Sequence, residues 1–335
     1  MLSIVEVREY KLPAYAGITM KVLANDGVSQ TGIDTLEKAG FEVITTTVAQ
    51  EQLANYINTE QIDVVLVRSA TTVRKEVIDA CPSLKIIGRG GVGMDNIDVT
   101  YAREKGVHVI NTPAASSASV AELVFAHLYG SVRFLYAANR DMPLEGDSKF
   151  KNLKKAYAKG VELRGKTLGI LGFGRIGQEV AKIAIGCGMK VIASDPYMEK
   201  ATIEIPFFDG QSASFTIETI AKEDLLKQAD FITLHVPAQK EYVIGKSEFA
   251  IMKDGAGIVN AARGGVIDEV ALVDALDNGK LSFAGLDVFE NEPKPAIKVL
   301  MSPRVSLTPH IGAATQQAQD RIGTELADQI IEILK

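Results

Sequence analysis

Along this chain short apolar runs alternate with stretches in which apolar residues recur every three or four positions. From Met20 onward the runs predict strands at Lys21–Asn25, Glu42–Thr45, Val64–Val67, Leu84–Gly88 and Val107–Ile110. The three-to-four spacing between them predicts helices at Gly32–Ala39, Glu51–Ile57, Lys75–Cys81 and Val99–Lys105. Strand and helix repeated in this way build a parallel sheet covered on both faces. Ser119-Val120-Ala121-Glu122 reads as a capping box that opens a long apolar helix running to about Asn139. After the polar, lysine-rich stretch 141–163 a second alternation begins. Its strands are expected at Lys166–Leu171, Met189–Ser194, Asp230–His235, Gly257–Asn260, Phe283–Asp287 and Val305–Leu307. The expected class is therefore α/β, with two doubly wound parallel sheets. One stretch departs from the pattern, because Ile203-Glu204-Ile205-Pro206 and Ser214-Phe215-Thr216-Ile217 alternate around Asp209-Gly210 and predict a β-hairpin over 202–220. A last helix, Thr315–Leu334, follows the Pro309-His310-Ile311-Gly312 break and is positioned to return to the first domain.

At 335 residues and 47% hydrophobic composition, the chain can bury a core in each of two domains. Acidic side chains (42) outnumber basic ones (36), for a net charge of -6, so nucleic acid, which needs a basic face, is not an expected partner. An anionic small molecule stays compatible, since a few arginines in a cleft set the local field whatever the total charge. Cys81 and Cys187 lie in apolar helical contexts, which fits reduced thiols in the cytoplasm better than a disulfide framework. No apolar run approaches the ~18 residues of a membrane span, so no membrane partner is expected. Residues 1–19 mix Glu6, Arg8, Glu9 and Lys11 with apolar residues, lack the uninterrupted core of an export signal, and read as an extension of unknown role.

Gly172-Phe173-Gly174-Arg175-Ile176-Gly177 is a G-x-G-x-x-G between a hydrophobic strand and a helix, and the next strand ends in Asp195. Gly172 permits a tight turn, Gly174 lets backbone approach a pyrophosphate, and Gly177 lets helix and strand pack closely. The helix N-terminus adds unpaired N–H groups and partial positive charge for phosphates. An acidic Asp195 accepts hydrogen bonds from ribose hydroxyls and repels a 2′-phosphate, so NAD rather than NADP is the expected cofactor.

In an open α/β sheet a ligand lies beyond the carboxyl ends of the strands, which selects His235, Arg263, Asp287, Glu292 and His310. Of the other two histidines, His108 falls within a strand and His127 on an apolar helix, and both read as packed or surface residues. Alcohol oxidation by hydride transfer needs a base for the hydroxyl proton and a cation for the carboxylate and developing oxyanion, tasks suited to histidine and arginine. A carboxylate beside the histidine stabilises imidazolium and orients the ring, and Glu292 is placed to do so for His310.

Three stretches, Asn260-Ala261-Ala262-Arg263-Gly264-Gly265-Val266-Ile267-Asp268, Asp287-Val288-Phe289-Glu290-Asn291-Glu292-Pro293 and Thr308-Pro309-His310-Ile311-Gly312, together resemble the signatures of the D-2-hydroxyacid dehydrogenase family. The resemblance runs from about Met20 to the end and is strongest to the phosphoglycerate dehydrogenase branch. It implies that Arg263 binds the substrate carboxylate and carbonyl, His310 is the acid/base, Glu292 is its partner and Asp287 contacts the nicotinamide amide. It also places His235, with Pro237 and Ala261, at the cofactor. Val67-Arg68-Ser69-Ala70-Thr71, Gly88-Arg89-Gly90-Gly91-Val92-Gly93-Met94-Asp95-Asn96 and Asn111-Thr112-Pro113 match as well. In the family the glycine-rich one, Arg89 and Gly91-Val92-Gly93 here, offers backbone N–H groups to the substrate carboxylate. Arg68, with Ser69, resembles the position that faces a substrate phosphate, and Arg140 one that reaches a neighbouring subunit's site.

The resemblance implies a flavodoxin-like substrate domain from 20–111 plus 310–335 and a Rossmann NAD domain from 112–309. It further implies a cytoplasmic homodimer or dimer of dimers with no bound metal. The expected reaction is NAD-dependent oxidation of 3-phosphoglycerate to 3-phosphohydroxypyruvate. Alternatives are a glyoxylate or hydroxypyruvate reductase of the same chemistry, and an NAD-sensing protein resembling C-terminal-binding-protein corepressors. The chain departs from longer phosphoglycerate dehydrogenases in lacking their C-terminal regulatory extension, so feedback control through it is not expected, and the 202–220 hairpin is longer than usual.

Overall fold

A computed structural model of the chain describes residues 19–334; residues 1–18 of the expected extension lie outside them. The chain divides into two compact units, one made of residues up to Ser116 together with those from Ala314 on, the other of Ser117–Ala313.

In the first unit β1 (Lys21–Ala24), β2 (Glu42–Ile44), β3 (Val64–Val67), β4 (Ile86–Arg89) and β5 (His108–Asn111) form a wholly parallel sheet in the order β2-β1-β3-β4-β5. All four residues of the central β3, Val-Val-Leu-Val, are buried, as a strand covered on both faces requires. Successive side chains sort onto opposite faces: Leu23, Val65, Val67 and Ile87 pack into one core, and Val22, Ala24, Val64, Leu66 and Ile86 into the other. The first core is closed by α2 (Leu53–Glu60), α3 (Lys75–Ala80) and α4 (Val99–Glu104). The second is closed by α1 (Gln30–Lys38) and by the last helix, α13 (Gln316–Leu334), which brings Ile322, Leu326, Ala327, Ile330 and Ile331. The last helix thus returns to the first unit. Where it crosses α1 the backbones touch: a Cβ on Gly32 would lie 2.8 Å from Gly323 Cα, so this crossing needs glycine.

The second unit opens with α5 (Ser117–Val132). The long apolar helix expected to run from Ser119 to Asn139 is two helices. It begins at Ser117, so Ser119 sits inside the first turn, and it stops where Phe134 takes the left-handed conformation (φ 55) before α6 (Leu135–Glu145). α5 buries nine residues, whereas α6 buries none, so the apolar face that sustains the first does not continue into the second. α7 (Phe150–Ala156) follows within the polar stretch.

Then come β6 (Thr167–Leu171), α8 (Arg175–Gly186) and β7 (Lys190–Ser194), followed by the hairpin of β8 (Lys200–Pro206) and β9 (Ser212–Glu218), which turns at Asp209-Gly210 where Gly210 has φ +85. The rest is α9 (Lys222–Gln228), β10 (Phe231–Leu234), α10 (Lys246–Ile251), β11 (Ala256–Asn260), α11 (Glu269–Asp277), β12 (Leu281–Leu286), α12 (Ile297–Leu300) and β13 (Val305–Leu307). Six parallel strands are ordered β13-β12-β11-β10-β6-β7. Chain direction across the sheet reverses between β6 and β10, and ligands bind beyond the carboxyl ends at such a switch. The loops after β6, β10, β11 and β12 all leave this edge.

Candidate active site

The three glycines after β6 have distinct surroundings. Gly172 has φ +89, and a Cβ there would lie 2.4 Å from the His235 carbonyl oxygen. A Cβ on Gly177 would lie 2.3 Å from the Gly172 carbonyl oxygen, so helix α8 packs onto the turn only with glycine at that position. Gly174 has nothing within 4 Å, which leaves room for a ligand against the backbone. It is also the N-cap of α8 and provides no side-chain cap, so the first N–H groups of a twelve-residue helix face that space, with Arg175 exposed and Ile176 half-buried beside them. Asp195, half-buried after β7, folds back over the turn: Oδ2 accepts from Phe173 N (2.7 Å) and Oδ1 from Tyr197 N (2.8 Å). An open backbone approach, an uncapped helix start and an acidic strand end fit a dinucleotide.

The two histidines at the carboxyl edge differ in environment. His235, after β10, has Nε2 2.9 Å from Thr233 Oγ1, while its Nδ1 is sealed from solvent and without a protein partner. Burial pushes its pKa down to about 3, so the ring is neutral and ill-suited to take up a proton. Pro237 is exposed two residues on, and Ala261 is buried at the end of β11. His310 instead is 40% exposed at its side chain, and its Nδ1 lies 2.7 Å from Glu292 Oε2. Glu292 is itself oriented, since its Oε1 accepts the Phe289 N–H at 3.0 Å.

Arg263 follows β11. Its turn is shaped by Asn260, whose Nδ2 donates to the Arg263 carbonyl (2.9 Å) and whose Oδ1 accepts the Ala262 N–H (3.0 Å). A Cβ on the next residue, Gly264, would lie 1.8 Å from the Phe289 carbonyl oxygen. The Arg263 turn is thus pressed directly on the loop that carries Glu292. Asp287, after β12, is 1% exposed. Its Oδ1 accepts from Thr308 Oγ1 (2.7 Å) and Ile311 N (2.8 Å), and its Oδ2 accepts from Gly312 N (2.8 Å). Its visible work is to hold the His310 loop; a contact to the nicotinamide amide is carried by the resemblance alone.

Sequence reasoning missed part of this arrangement. His127, read as packed or surface, is indeed buried, but it is hydrogen-bonded to Ser306 and Thr308 on the approach to His310. Alternate hydroxyls at 306 and 308 beside an apolar helix bearing one histidine were the available signal.

In the first unit Arg68 follows β3. Its backbone is clamped, with Arg68 N donating to Asp26 Oδ2 (2.6 Å) and its carbonyl accepting from Asn96 Nδ2 (2.7 Å). Asp26 Oδ2 also accepts Thr71 N (3.0 Å), so Arg68 and Ser69 project from a braced loop. Arg89 ends β4, and its guanidinium lies over Gly91, where φ is +148 and a Cβ would fall 1.5 Å from Nη1. Val92 is 37% exposed and its carbonyl accepts from Asn111 Nδ2 (2.7 Å); Gly93 follows it. The carboxyl edge of this sheet thus brings together Arg68, Ser69, Arg89, Gly91, Val92 and Gly93. Arg140 stands apart in the second unit, exposed on α6 with its guanidinium carbon 5.5 Å from the Tyr136 ring centroid. Among the described residues no helix is long and apolar enough to cross a membrane, and no group of three or more His, Cys, Asp or Glu is placed to hold a metal ion.

Comparison with known proteins agrees with this geometry. Residues 125–312 match the NAD binding domain of the D-isomer specific 2-hydroxyacid dehydrogenases. The chain is 43% identical over 320 residues, 94% of its length, to a D-3-phosphoglycerate dehydrogenase of Methanocaldococcus jannaschii, of whose length it spans 58%. It is also 43% identical over 94% of its length to a hydroxypyruvate reductase of Thermotoga maritima, of which it spans 98%. A crystal structure of a glyoxylate reductase from Paecilomyes thermophila superposes with a TM-score of 0.78 at 29% identity, covering 95% of this chain and 96% of that one. The chain therefore belongs to the D-isomer specific 2-hydroxyacid dehydrogenases, a family of NAD-dependent oxidoreductases, and its second unit carries their NAD-binding domain.

Proposed function

We propose that the chain interconverts 3-phosphoglycerate and 3-phosphohydroxypyruvate with NAD as hydride carrier. The observation that carries the chemistry is the His310–Glu292 pair: with Nδ1 held by the carboxylate at 2.7 Å, Nε2 is the ring atom left to exchange a proton with the substrate oxygen. Bound NAD(H) supplies or accepts the hydride. Arg263 orients the substrate carboxylate and polarises the carbonyl. The Gly91–Gly93 turn of the first unit is of the kind that offers backbone N–H groups to a carboxylate. Asp195 selects the cofactor without a 2′-phosphate.

The choice of a phosphorylated substrate rests on Arg68 and its braced loop, with Arg89 and Arg140 as further cations. Three-carbon acids without phosphate have no charge to place against Arg68. A hydroxypyruvate reductase is the second reading, favoured by the Thermotoga relative, which has the same identity and nearly the same length. A homodimer is part of the proposal, supported by α6, which buries no residue and exposes Leu135, Tyr136, Met142 and Leu144 beside Arg140. A reducing cytoplasm is supported by Cys81 and Cys187, both free thiols.

The test is a comparison of kcat/KM for NADH-dependent reduction of phosphohydroxypyruvate, hydroxypyruvate and glyoxylate by the wild-type protein. The proposal expects the phosphorylated acid to be favoured by ~10-fold or more, the weight of one charge-assisted arginine–phosphate contact. Equal or better use of hydroxypyruvate moves the assignment to the second reading.

A further inference from the structure

His127 lies on α5, is 3% exposed, and has no part in the chemistry above. Its Nδ1 is 2.8 Å from Ser306 Oγ and its Nε2 is 3.0 Å from Thr308 Oγ1. The direction of these bonds follows from their neighbours. Thr308 donates its hydroxyl hydrogen to Asp287 Oδ1, and both Asp287 oxygens already accept backbone N–H groups from Ile311 and Gly312. Thr308 Oγ1 therefore turns a lone pair toward His127, so Nε2 carries the hydrogen and Nδ1 accepts from the Ser306 hydroxyl. Burial holds the pKa of His127 below its usual value against the opposing pull of the Asp287 charge, so the ring is neutral with one donor and one acceptor, matching its two partners. The chain of hydrogen bonds runs from Ser306 through His127 and Thr308 to Asp287.

Room for the ring is built in. Gly285 on β12 faces it, and a Cβ there would lie 2.8 Å from His127 Cβ. An apolar side chain on α5 would fill this place with less desolvation, so packing alone does not call for histidine. What the chain ends on is the brace of the His310 loop. Besides Thr308, Ile311 and Gly312, Asp287 receives the His310 N–H on its backbone carbonyl at 2.8 Å. His310 has φ 55, a left-handed conformation that is strained for a side-chain-bearing residue and persists only where surrounding contacts over-determine it.

We propose that His127 is a positioning residue for His310, acting through Thr308 and Asp287. The proposal rests on the reading of His310 as the acid/base. A shift of about 1 Å at the acid/base is enough to cost up to ~10² in rate, so the loss of a remote hydrogen bond is measurable there.

The test is steady-state kinetics with NADH and whichever 2-oxo acid the wild type turns over best, with active sites counted by NADH titration. The proteins are wild type, His127→Leu, His127→Gln, Thr308→Val, the His127→Leu/Thr308→Val double variant and His310→Ala. His127→Leu and Thr308→Val are each expected to lower kcat by about tenfold or more while NADH affinity and substrate KM change by less than about threefold. The double variant should be about as slow as the worse single one, because both cut the same chain. His127→Gln, whose amide can still donate to Thr308, should recover most of the rate. A kcat within about twofold of wild type in His127→Leu or Thr308→Val, multiplicative losses in the double variant, or no rescue by Gln overturns the proposal. Thr308→Val keeps the side-chain volume and is sufficient by itself if His127→Leu does not fold. If His310→Ala retains the wild-type rate, the acid/base reading itself fails; if it is inactive while His127→Leu and Thr308→Val are unimpaired, only the positioning role fails.

Discussion

His310 and His235 stand at the carboxyl edge of one sheet, but their surroundings give them opposite capacities. His310 is half-exposed, and the Glu292 carboxylate holds its Nδ1 and so fixes the orientation of the ring. His235 is held neutral by burial, with its pKa at about 3. His310→Ala should therefore lower kcat by ~10²–10⁴ with NADH binding largely kept. His235→Ala should act chiefly on NADH affinity. Steady-state rates and NADH titration of the two variants distinguish these roles, and the reverse pattern would contradict the assignment. Residue types near strand ends, together with the family signatures, made both candidates legible in the sequence. What separates them at the level of the residues is burial, which depends on which elements cover each ring. His127 was illegible for the same reason: its partners Ser306 and Thr308 are brought to it only by the packing of α5 on β12 and β13.

At the scale of elements, buried strands were the most legible feature. Val64–Val67 falls where the apolar run ends, because a strand covered on both faces has no polar position to blur its limits. The break between α5 and α6 was not legible, since Arg133 and Phe134 look like an ordinary continuation of a helix. Only the tertiary setting ends it, with Val161 N donating to the Val132 carbonyl across the break.

Helix α10 shows how a short element is secured, and it offers a pH test. Glu248 Oε2 accepts the Gly245 N–H at 3.0 Å and Oε1 pairs with Lys222 Nζ at 3.1 Å. Burial works to raise this carboxyl, but the bonds from Gly245, Lys222 and Ser247 outweigh it and hold the pKa at about 2, below the ordinary 4.5. A carboxyl depressed on folding contributes stability above its unfolded pKa and loses it as pH falls toward the folded value. Glu248→Gln should therefore cost about 1–3 kcal/mol at pH 7, and the gap to wild type should close as pH falls from ~5 toward ~2. Urea unfolding at neutral and acid pH measures it; a gap that does not change with pH would contradict the account.

At the scale of the molecule, strand and helix alternation foretold two parallel sheets, and the glycine motif indicated which of them carries the cofactor. The substrate's distal group was not legible in the same way, because the roles proposed for Arg263 and for the Gly91–Gly93 turn concern only the 2-oxo acid end that all candidate substrates share. In the proposed reading that choice falls to Arg68, whose loop is held at Arg68 and Thr71 by Asp26 and Asn96, which follow two other strands of the first unit. The most direct measurement is the ratio of kcat/KM for phosphohydroxypyruvate to that for hydroxypyruvate, in wild type and in Arg68→Ala. Taking a ratio on each protein cancels general damage to the fold and isolates the arginine–phosphate contact. The account predicts a wild-type ratio well above one that drops ~10-fold or more in the variant. A wild-type preference for the unphosphorylated acid, or an equal loss on both substrates in Arg68→Ala, would contradict it.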